Sequence, residues 1–220
     1  MLLDFDGPVC NIFAGYRAPD VSDELAATAA AAGHPVPADY RRNQDPLDIF
    51  RFAGTVGPEL TALIERELTN AEVKAAETAE ATPGAEEFLR ACRSTGRTVA
   101  VVSNNSATAV TQYLTRAGWA DLVRIVEGRD PNDPQLMKPH PNVLLRTLRD
   151  LSAPAESAAI VGDSITDVEA GLAADVWTIG YANKPGKDEA MRDAGADVVL
   201  DSMAELAQAT QRTPVRPPKP

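Results

Sequence analysis

The sequence predicts an α/β fold in which helices cover both faces of a doubly wound parallel sheet. From residue 98 onward, short apolar segments rich in β-branched residues alternate with segments of helical periodicity. Short strands that alternate with helices are typical of a parallel sheet buried on both faces. Between residues 13 and 81, by contrast, the chain contains helix-like segments and no strand signal, which predicts a small helical domain inserted after the first strand.

The individual elements follow from local patterns. Buried strands are predicted at residues 2–3, 98–102, 157–161, 176–180 and 197–200. Helices are predicted at residues 22–32, 46–53, 59–79, 85–94, 106–117 and 142–151. Two more are predicted: one follows the strand at 157–161 and runs through Ala174, and one follows the strand at 176–180 and ends at Ala194. In the segment 142–151, for example, the leucines at 144, 145, 148 and 151 share one helical face.

These elements divide the chain into three parts. Residues 1–12 and 82–210 form the predicted α/β core, and residues 13–81 form the predicted helical cap. The cap is expected to end at Thr82-Pro83-Gly84, which breaks any helix. Residues 211–220 are rich in proline and are expected to form a loosely attached tail.

Composition and charge exclude several classes of protein. The 21 basic residues are outnumbered by 32 acidic ones, and the resulting net charge of -11 would repel nucleic acid and anionic membranes. No apolar run approaches the roughly 20 residues needed to span a bilayer. The N-terminus lacks the features of a signal peptide, so a cytoplasmic location is expected, whereas nothing indicates the oligomeric state.

Two acidic pairs follow predicted strands. Asp4 and Asp6 come directly after the first strand, and Asp163 and Asp167 lie at the start of a later helix. If their strands are neighbours, as many as four carboxylates meet at one edge of the sheet. Two like charges about 4 Å apart repel by roughly 4 kcal/mol at an effective dielectric constant of 20. A divalent cation would relieve this repulsion, and an all-oxygen site favours Mg²⁺ over zinc.

Two further polar motifs fall at the same end of the predicted sheet. Ser103-Asn104 follows the strand at 98–102 and offers a hydroxyl and backbone N–H groups to a phosphate. Lys138, one of five lysines, precedes a helix and could neutralise a nucleophile or a phosphoryl group. Each motif alone is also compatible with a surface turn, a helix N-cap or a solvated lysine; their order and placement together indicate a catalytic site.

In this combination the sequence resembles the haloacid dehalogenase (HAD) superfamily, in its phosphoglycolate phosphatase-like branch. The motifs that carry the resemblance are Asp4-Phe5-Asp6-Gly7, Ser103-Asn104, Lys138-Pro139, and Gly162-Asp163-Ser164 with Asp167. The resemblance implies a Rossmann-like core with a mobile helical cap. It also implies Mg²⁺-dependent hydrolysis of a small phosphomonoester through an aspartyl-phosphate.

The resemblance implies a role for each motif residue. Asp4 would be the nucleophile, and Asp6 would act as general acid and then general base. Asp4, the Asp6 carbonyl and Asp163 would hold Mg²⁺, with Asp167 assisting directly or through water. Ser103 and the Asn104 amide would bind phosphoryl oxygens. Lys138 would stabilise the negative charge on Asp4 and phosphate.

Alternatives remain at this point. Asp6 and Asp163 argue against a dehalogenase, and the single cap lysine, Lys74, argues against a phosphonatase. A phosphomutase shares the aspartyl-phosphate and stays open. A binding protein without turnover also stays open. Two features depart from the family. Pro8 stands where family members usually have threonine, and it removes one backbone N–H. Only three residues precede Asp4, so either the native chain starts upstream of Met1 or the edge of the site is less firmly supported.

The substrate itself is not predicted by any motif. Arg41, Arg42 and Arg51 fall in the predicted cap and could bind an anionic end of the substrate. Solvated surface arginines are the alternative interpretation for each of them.

Overall fold

A computed structural model, which describes residues 1–213, contains a parallel sheet of six strands in the order β5-β4-β1-β6-β7-β8. Within these residues the strands are β1 (Leu2–Leu3), β2 (Cys10–Asn11), β3 (Glu80–Ala81), β4 (Ala100–Val102), β5 (Ile125–Glu127), β6 (Ala159–Gly162), β7 (Trp177–Tyr181) and β8 (Val198–Leu200). All neighbours in the six-stranded sheet run parallel, so the predicted α/β class is confirmed.

Helices cover both faces of the sheet and build the cap. The described part of the chain contains α1 (Ala18–Ala31), α2 (Ala38–Arg41), α3 (Pro46–Val56), α4 (Pro58–Thr78), α5 (Ala85–Ser94), α6 (Ala107–Ala117), α7 (Asn142–Leu151), α8 (Ile165–Ala173), α9 (Lys187–Asp193) and α10 (Met203–Arg212). The helices α5 and α7 begin and end at the predicted residues. No helix in residues 1–213 is both long and apolar enough to cross a membrane.

The first strand is short but lies in the centre of the sheet. Leu2 pairs with Ala100 of β4 on one side and with Ile160 of β6 on the other. The Asp4 N–H extends this pairing by donating to the Val161 carbonyl at 2.9 Å. Hydrogen bonds on both sides therefore fix the backbone that carries Asp4, although only three residues precede it.

Three expectations need correction. Strand β5 was not predicted, because it is a half-buried edge strand of three residues with little apolar signal. A short antiparallel pair, β2 with β3, lies where the cap joins the core, although no strand was expected between residues 3 and 98. Each of these two strands contains only one apolar residue, which gives no strand signal in the sequence.

The tail also begins later than expected. Helix α10 ends at Arg212, so residues 211 and 212 are helical rather than part of the proline-rich tail. The rest of the predicted tail, from residue 214 onward, lies outside the described residues.

The cap has an apolar core of its own. Helices α1, α3 and α4 bury a cluster that includes Val21, Leu25, Ile49, Phe50 and Ile64. The start of α3 is fixed locally, since the Asp45 side chain accepts a hydrogen bond from the Leu47 N–H and Pro46 occupies the first helical position. The segment between α2 and α3 therefore has a defined conformation above the core.

Candidate active site

The four predicted motifs meet at the carboxyl ends of three adjacent strands. Asp4 follows β1, Ser103 follows β4, and Asp163 follows β6. Together with Lys138 and Asp167, they line a cavity of about 780 Å³ between the core and the cap. Parallel strands direct the residues that follow them to the same edge of the sheet, which explains how distant segments meet here.

Two glycines allow this close approach. Gly7 has a φ of 108°, and a Cβ at this position would lie 2.4 Å from the Asp163 Cγ. A Cβ at Gly162 would lie 2.3 Å from the Asp167 Cβ. Any larger residue would push the two aspartates out of position, so the sequence requires glycine in both motifs.

Lys138 connects two of the carboxylates. Its Nζ donates to Asp4 Oδ1 at 2.7 Å, to Asp167 Oδ1 at 2.6 Å and to the Val102 carbonyl at 3.1 Å. The side chain is only 2% exposed. Burial alone would lower the pKa of Lys138, but Asp167 and Asp4 outweigh it and raise that pKa above its usual value. The lysine is therefore a permanent positive charge in the site.

The two aspartates of the first motif have different surroundings. Burial raises the pKa of Asp4 to about 8, Asp167 adds to the shift and Lys138 opposes it. Burial raises the pKa of Asp6 to about 6, whereas the hydrogen bond from the Ile12 N–H to Asp6 Oδ1 opposes that shift. A carboxyl group with a pKa near neutrality can both donate and accept a proton.

The donor set fits a hard divalent cation. Asp4, Asp163 and Asp167 each offer an oxygen within 4.8 Å of the others. Lys138 contributes one positive charge to these three carboxylates. Carboxylate oxygens at this spacing suit Mg²⁺, so the residues fit the cation that the sequence predicts.

Both carboxylate oxygens of Asp167 accept hydrogen bonds from the protein. Its Oδ2 accepts from the N–H and Oγ of Ser164, and the Asp167 N–H donates to Ser164 Oγ, which completes a capping box at the start of α8. Its Oδ1 accepts from Lys138. Both oxygens therefore have protein partners, which makes Asp167 an anchor for the lysine as well as a possible metal ligand.

The Ser103-Asn104 motif lines the cavity opposite the first one. Ser103 Oγ accepts from the Asn105 N–H and lies 3.1 Å from Asn105 Oδ1. The Asn104 side chain donates to the Lys138 carbonyl at 3.2 Å and accepts from the Lys138 N–H at 2.8 Å. The Asn104 side chain thus holds the backbone of Lys138 in place. The backbone N–H of Asn104 is the group expected to bind a phosphoryl oxygen.

Comparisons with known proteins show which family the chain belongs to. The family model described as haloacid dehalogenase-like hydrolase matches residues 46–181. The chain belongs to this family. It is 35% identical over 126 residues to a phosphoglycolate phosphatase of Nitrosococcus oceani, a match that covers 56% of this chain and 54% of that protein. The chain thus spans about half the length of this curated relative.

A second relative and a solved structure extend the comparison. A phosphoglycolate phosphatase of Psychrobacter arcticus is 27% identical over 215 residues, covering 86% of each chain. The crystal structure of a predicted phosphatase from Clostridium acetobutylicum has a TM-score of 0.73 and 17% identity, covering 96% of this chain and 97% of its own. This structural likeness confirms the HAD-like fold of the core with its cap.

A buried charge pair connects the cap to the core of this HAD-like hydrolase, and the sequence did not indicate it. Glu72 of α4 is fully buried, and its carboxylate accepts from Arg129 Nη1 at 2.7 and 2.9 Å. It also accepts from Asn105 Nδ2 and from the Ser106 N–H. Because Asn105 contacts Ser103, this network connects the cap to the Ser103 motif. Glu72 looks like an ordinary helical glutamate in the sequence, so no local signal marks it.

Two other missed residues contact Asp163. Lys187 Nζ donates to the Asp163 carboxylate and carbonyl, each at 2.6 Å, and Asn183 Nδ2 donates to the same carboxylate at 2.9 Å. Asn183 lies just after the end of β7, and Lys187 is the first residue of α9. Both lie about twenty residues after β6 in the chain. They orient the carboxylate that the metal prediction depends on.

The cap arginines have acidic partners. Arg41 pairs with Asp23, Arg42 with Asp39, and Arg51 with Asp48. Of the three arginines, Arg51 lines the cavity.

Proposed function

We propose that this chain is a cytoplasmic Mg²⁺-dependent phosphatase that hydrolyses a small phosphomonoester through a phosphorylated Asp4. The observation that carries the proposal is Lys138 between Asp4 and Asp167, beside Asp163 and in the same cavity as Ser103. A nucleophilic carboxylate, a fixed cation and hydrogen-bond donors for phosphate are the groups that phosphoryl transfer requires. The names of the two relatives above support the same reaction class.

Asp4 is the proposed nucleophile. One of its oxygens attacks phosphorus, the bond from phosphorus to the ester oxygen breaks, and an acyl phosphate forms on Asp4. Water then attacks this phosphorus, releases inorganic phosphate and restores the carboxylate. Lys138 keeps the attacking side chain in place and stabilises the negative charge that builds up on the phosphoryl oxygens.

Asp6 moves the protons in both steps. In the first step its carboxyl group gives a proton to the leaving ester oxygen, and in the second its carboxylate takes one from the attacking water. The hydrogen bond from the Ile12 N–H to Asp6 Oδ1 holds the side chain in one orientation. Its pKa of about 6 suits both tasks near neutral pH.

The remaining motif residues bind the phosphoryl group and the cation. The Ser103 hydroxyl and the Asn104 backbone amide bind phosphoryl oxygens. Asp4, Asp163 and the Asp6 carbonyl would hold Mg²⁺, with Asp167 beside them. When bound, Mg²⁺ would neutralise the carboxylates and polarise the phosphoryl group.

Phosphate release from a panel of small phosphomonoesters, with Mg²⁺ and with EDTA, tests the proposal. We expect turnover only with Mg²⁺, loss of turnover in Asp4→Asn, and a loss of about 100-fold or more in Asp6→Asn. Asp39→Asn, an exposed aspartate of the cap, is the matched control and should retain turnover. Acid quenching should leave phosphate on the peptide that contains Asp4.

Three results would contradict the proposal. Turnover that survives EDTA or the Asp4→Asn change excludes the mechanism. Isomerisation of a sugar phosphate without net phosphate release identifies a phosphomutase instead. Absence of both reactions across the panel, in protein that binds phosphate, indicates a binding protein.

A further inference from the structure

The cap side of the cavity indicates what kind of ester it accepts. We infer that the leaving group of the substrate carries hydroxyl groups and no carboxylate or other anionic group, as in a polyol or sugar phosphate. This inference rests on the proposed phosphatase activity and narrows its substrate class.

The cavity wall opposite the catalytic aspartates comes from the cap. Asn43, Gln44 and Asp45 precede α3, and Asp48 and Arg51 lie on its first turns. Asp45 caps the helix, so this wall has a fixed conformation. A leaving group attached to a phosphoryl group at Asp4 would extend toward these residues.

The positive charges that line the cavity already have acidic partners. Arg51 Nη1 lies 3.0 Å from Asp48 Oδ1, and these side chains are only 30% and 19% exposed. Lys138 is held between two aspartates of the core. Among the residues described, the lining therefore offers a substrate carboxylate no cation without a carboxylate partner.

The charged residues of the wall are net negative, and apolar side chains such as Phe13 and Leu68 lie beside its hydrogen-bonding groups. Asp45 and Asp48 outnumber Arg51, and Asn43 and Gln44 add two neutral amides. A second anionic group on the substrate would face carboxylates across a partly desolvated cavity, where like charges repel strongly. Hydroxyl groups, in contrast, can donate to the carboxylates and accept from the amide NH₂ groups.

A matched set of two-carbon esters tests the inference directly. The probes are 2-phosphoglycolate, 2-hydroxyethyl phosphate and 2-aminoethyl phosphate, which share a skeleton and differ in the charge of the end group. With Mg²⁺ we expect kcat/KM for the hydroxyl ester to exceed that for the carboxylate ester by about tenfold or more. The kcat/KM for glycerol 1-phosphate should exceed that for 3-phosphoglycerate by a similar factor.

Substitution of Asp48 tests the structural reason. Asp48→Asn removes the partner of Arg51 and should raise kcat/KM for 2-phosphoglycolate, relative to 2-hydroxyethyl phosphate, by about fivefold to tenfold. The matched control is Asp39→Asn, which frees Arg42 outside the cavity lining and should leave the ratio unchanged. A second variant, Arg51→Met, should leave the wild-type order of kcat/KM values among the esters unchanged, because Arg51 is not expected to bind a carboxylate of the substrate.

The outcomes separate this inference from the proposed function. If no ester releases phosphate with Mg²⁺, the proposed function fails. If esters are hydrolysed but the carboxylate ester ranks above the hydroxyl or the ammonium ester, the phosphatase stands and the inference is overturned. A selective loss of 2-phosphoglycolate turnover in Arg51→Met would also overturn it, because Arg51 would then bind the carboxylate.

Discussion

Lys138 shows how much of this site depends on one side chain. Its ammonium group lies between Asp4 and Asp167 in a region from which solvent is almost excluded. Two buried carboxylates that contact the same ammonium group lie close enough to repel each other, and the lysine offsets that repulsion. The same charge that stabilises the fold is therefore available to stabilise the phosphoryl group.

Replacing the lysine by methionine separates its two effects. In EDTA, Lys138→Met should lower the free energy of unfolding by about 3–5 kcal/mol, because the aspartates lose their shared partner. The rate of phosphate release should fall by about 100-fold or more. Denaturant unfolding and steady-state kinetics measure the two quantities. Lys184→Met, an exposed lysine, should change stability by less than about 0.5 kcal/mol.

A methyl group at Gly7 should displace Asp163. Gly7→Ala places a Cβ 2.4 Å from the Asp163 Cγ, so we expect kcat/KM to fall by about 100-fold. Gly33→Ala is the matched control, since Gly33 also has a positive φ, of 90°, but no atom lies within 4 Å of its added Cβ. That control should cost about 1–2 kcal/mol of stability and leave kcat/KM unchanged. Equal kinetic losses in both variants would refute the steric explanation.

At the scale of elements, α4 belongs to the cap but is attached to the core. Glu72, in the C-terminal half of α4, contacts Arg129 and, through Ser106, the start of α6. Glu65 and Thr69 of the same helix also contact Arg129. These contacts attach α4 to the core.

Breaking this network should affect both stability and phosphate binding. Glu72→Gln leaves Glu65, at 3.2 Å, as the carboxylate partner of the buried Arg129, so the free energy of unfolding should fall by about 1–3 kcal/mol. The KM for a phosphate ester should rise, because Asn105 then orients Ser103 less firmly. Calorimetry and kinetics provide the two measurements.

A surface pair and a double variant provide the controls. Glu86→Gln breaks the exposed i,i+4 pair with Arg90 and should cost no more than about 0.5 kcal/mol. Combining Glu72→Gln with Arg129→Met should recover part of the lost stability, since the uncompensated charge is gone. Strictly additive losses in the double variant would show that the two residues do not act as a pair.

For the molecule as a whole, cation binding should be linked to folding. Carboxylates from two segments of the chain converge on one point only in the folded state, so Mg²⁺ should bind the native protein in preference to the unfolded one. At about 100 times its dissociation constant the cation would add about 2.7 kcal/mol.

Thermal unfolding tests this linkage. We expect the melting temperature to rise by several degrees in Mg²⁺ relative to EDTA. Asp163→Asn should abolish most of the rise, whereas Asp175→Asn, outside the acidic cluster, should retain it. An equal rise in Asp163→Asn would assign the stabilisation to nonspecific ion binding.

The sequence alone determined the parallel α/β core, the helical cap and the motif residues that the structure brings together. Strand alternation and short motifs are local patterns, and a parallel sheet always gathers the residues after its strands at one edge. Strand β5 and the β2–β3 pair were missed because β5 contains only two apolar residues and β2 and β3 contain one each.

The partners of these residues depend on how distant segments pack together. Glu72 meets Arg129 across 57 positions in the chain, and Lys187 meets Asp163 across 24, so no spacing rule connects them. The pair of Arg51 and Asp48 is local to α3, but whether it lines the cavity depends on how the cap packs on the core. Motifs fix the types of residue that perform the chemistry, whereas packing fixes the charges that surround them.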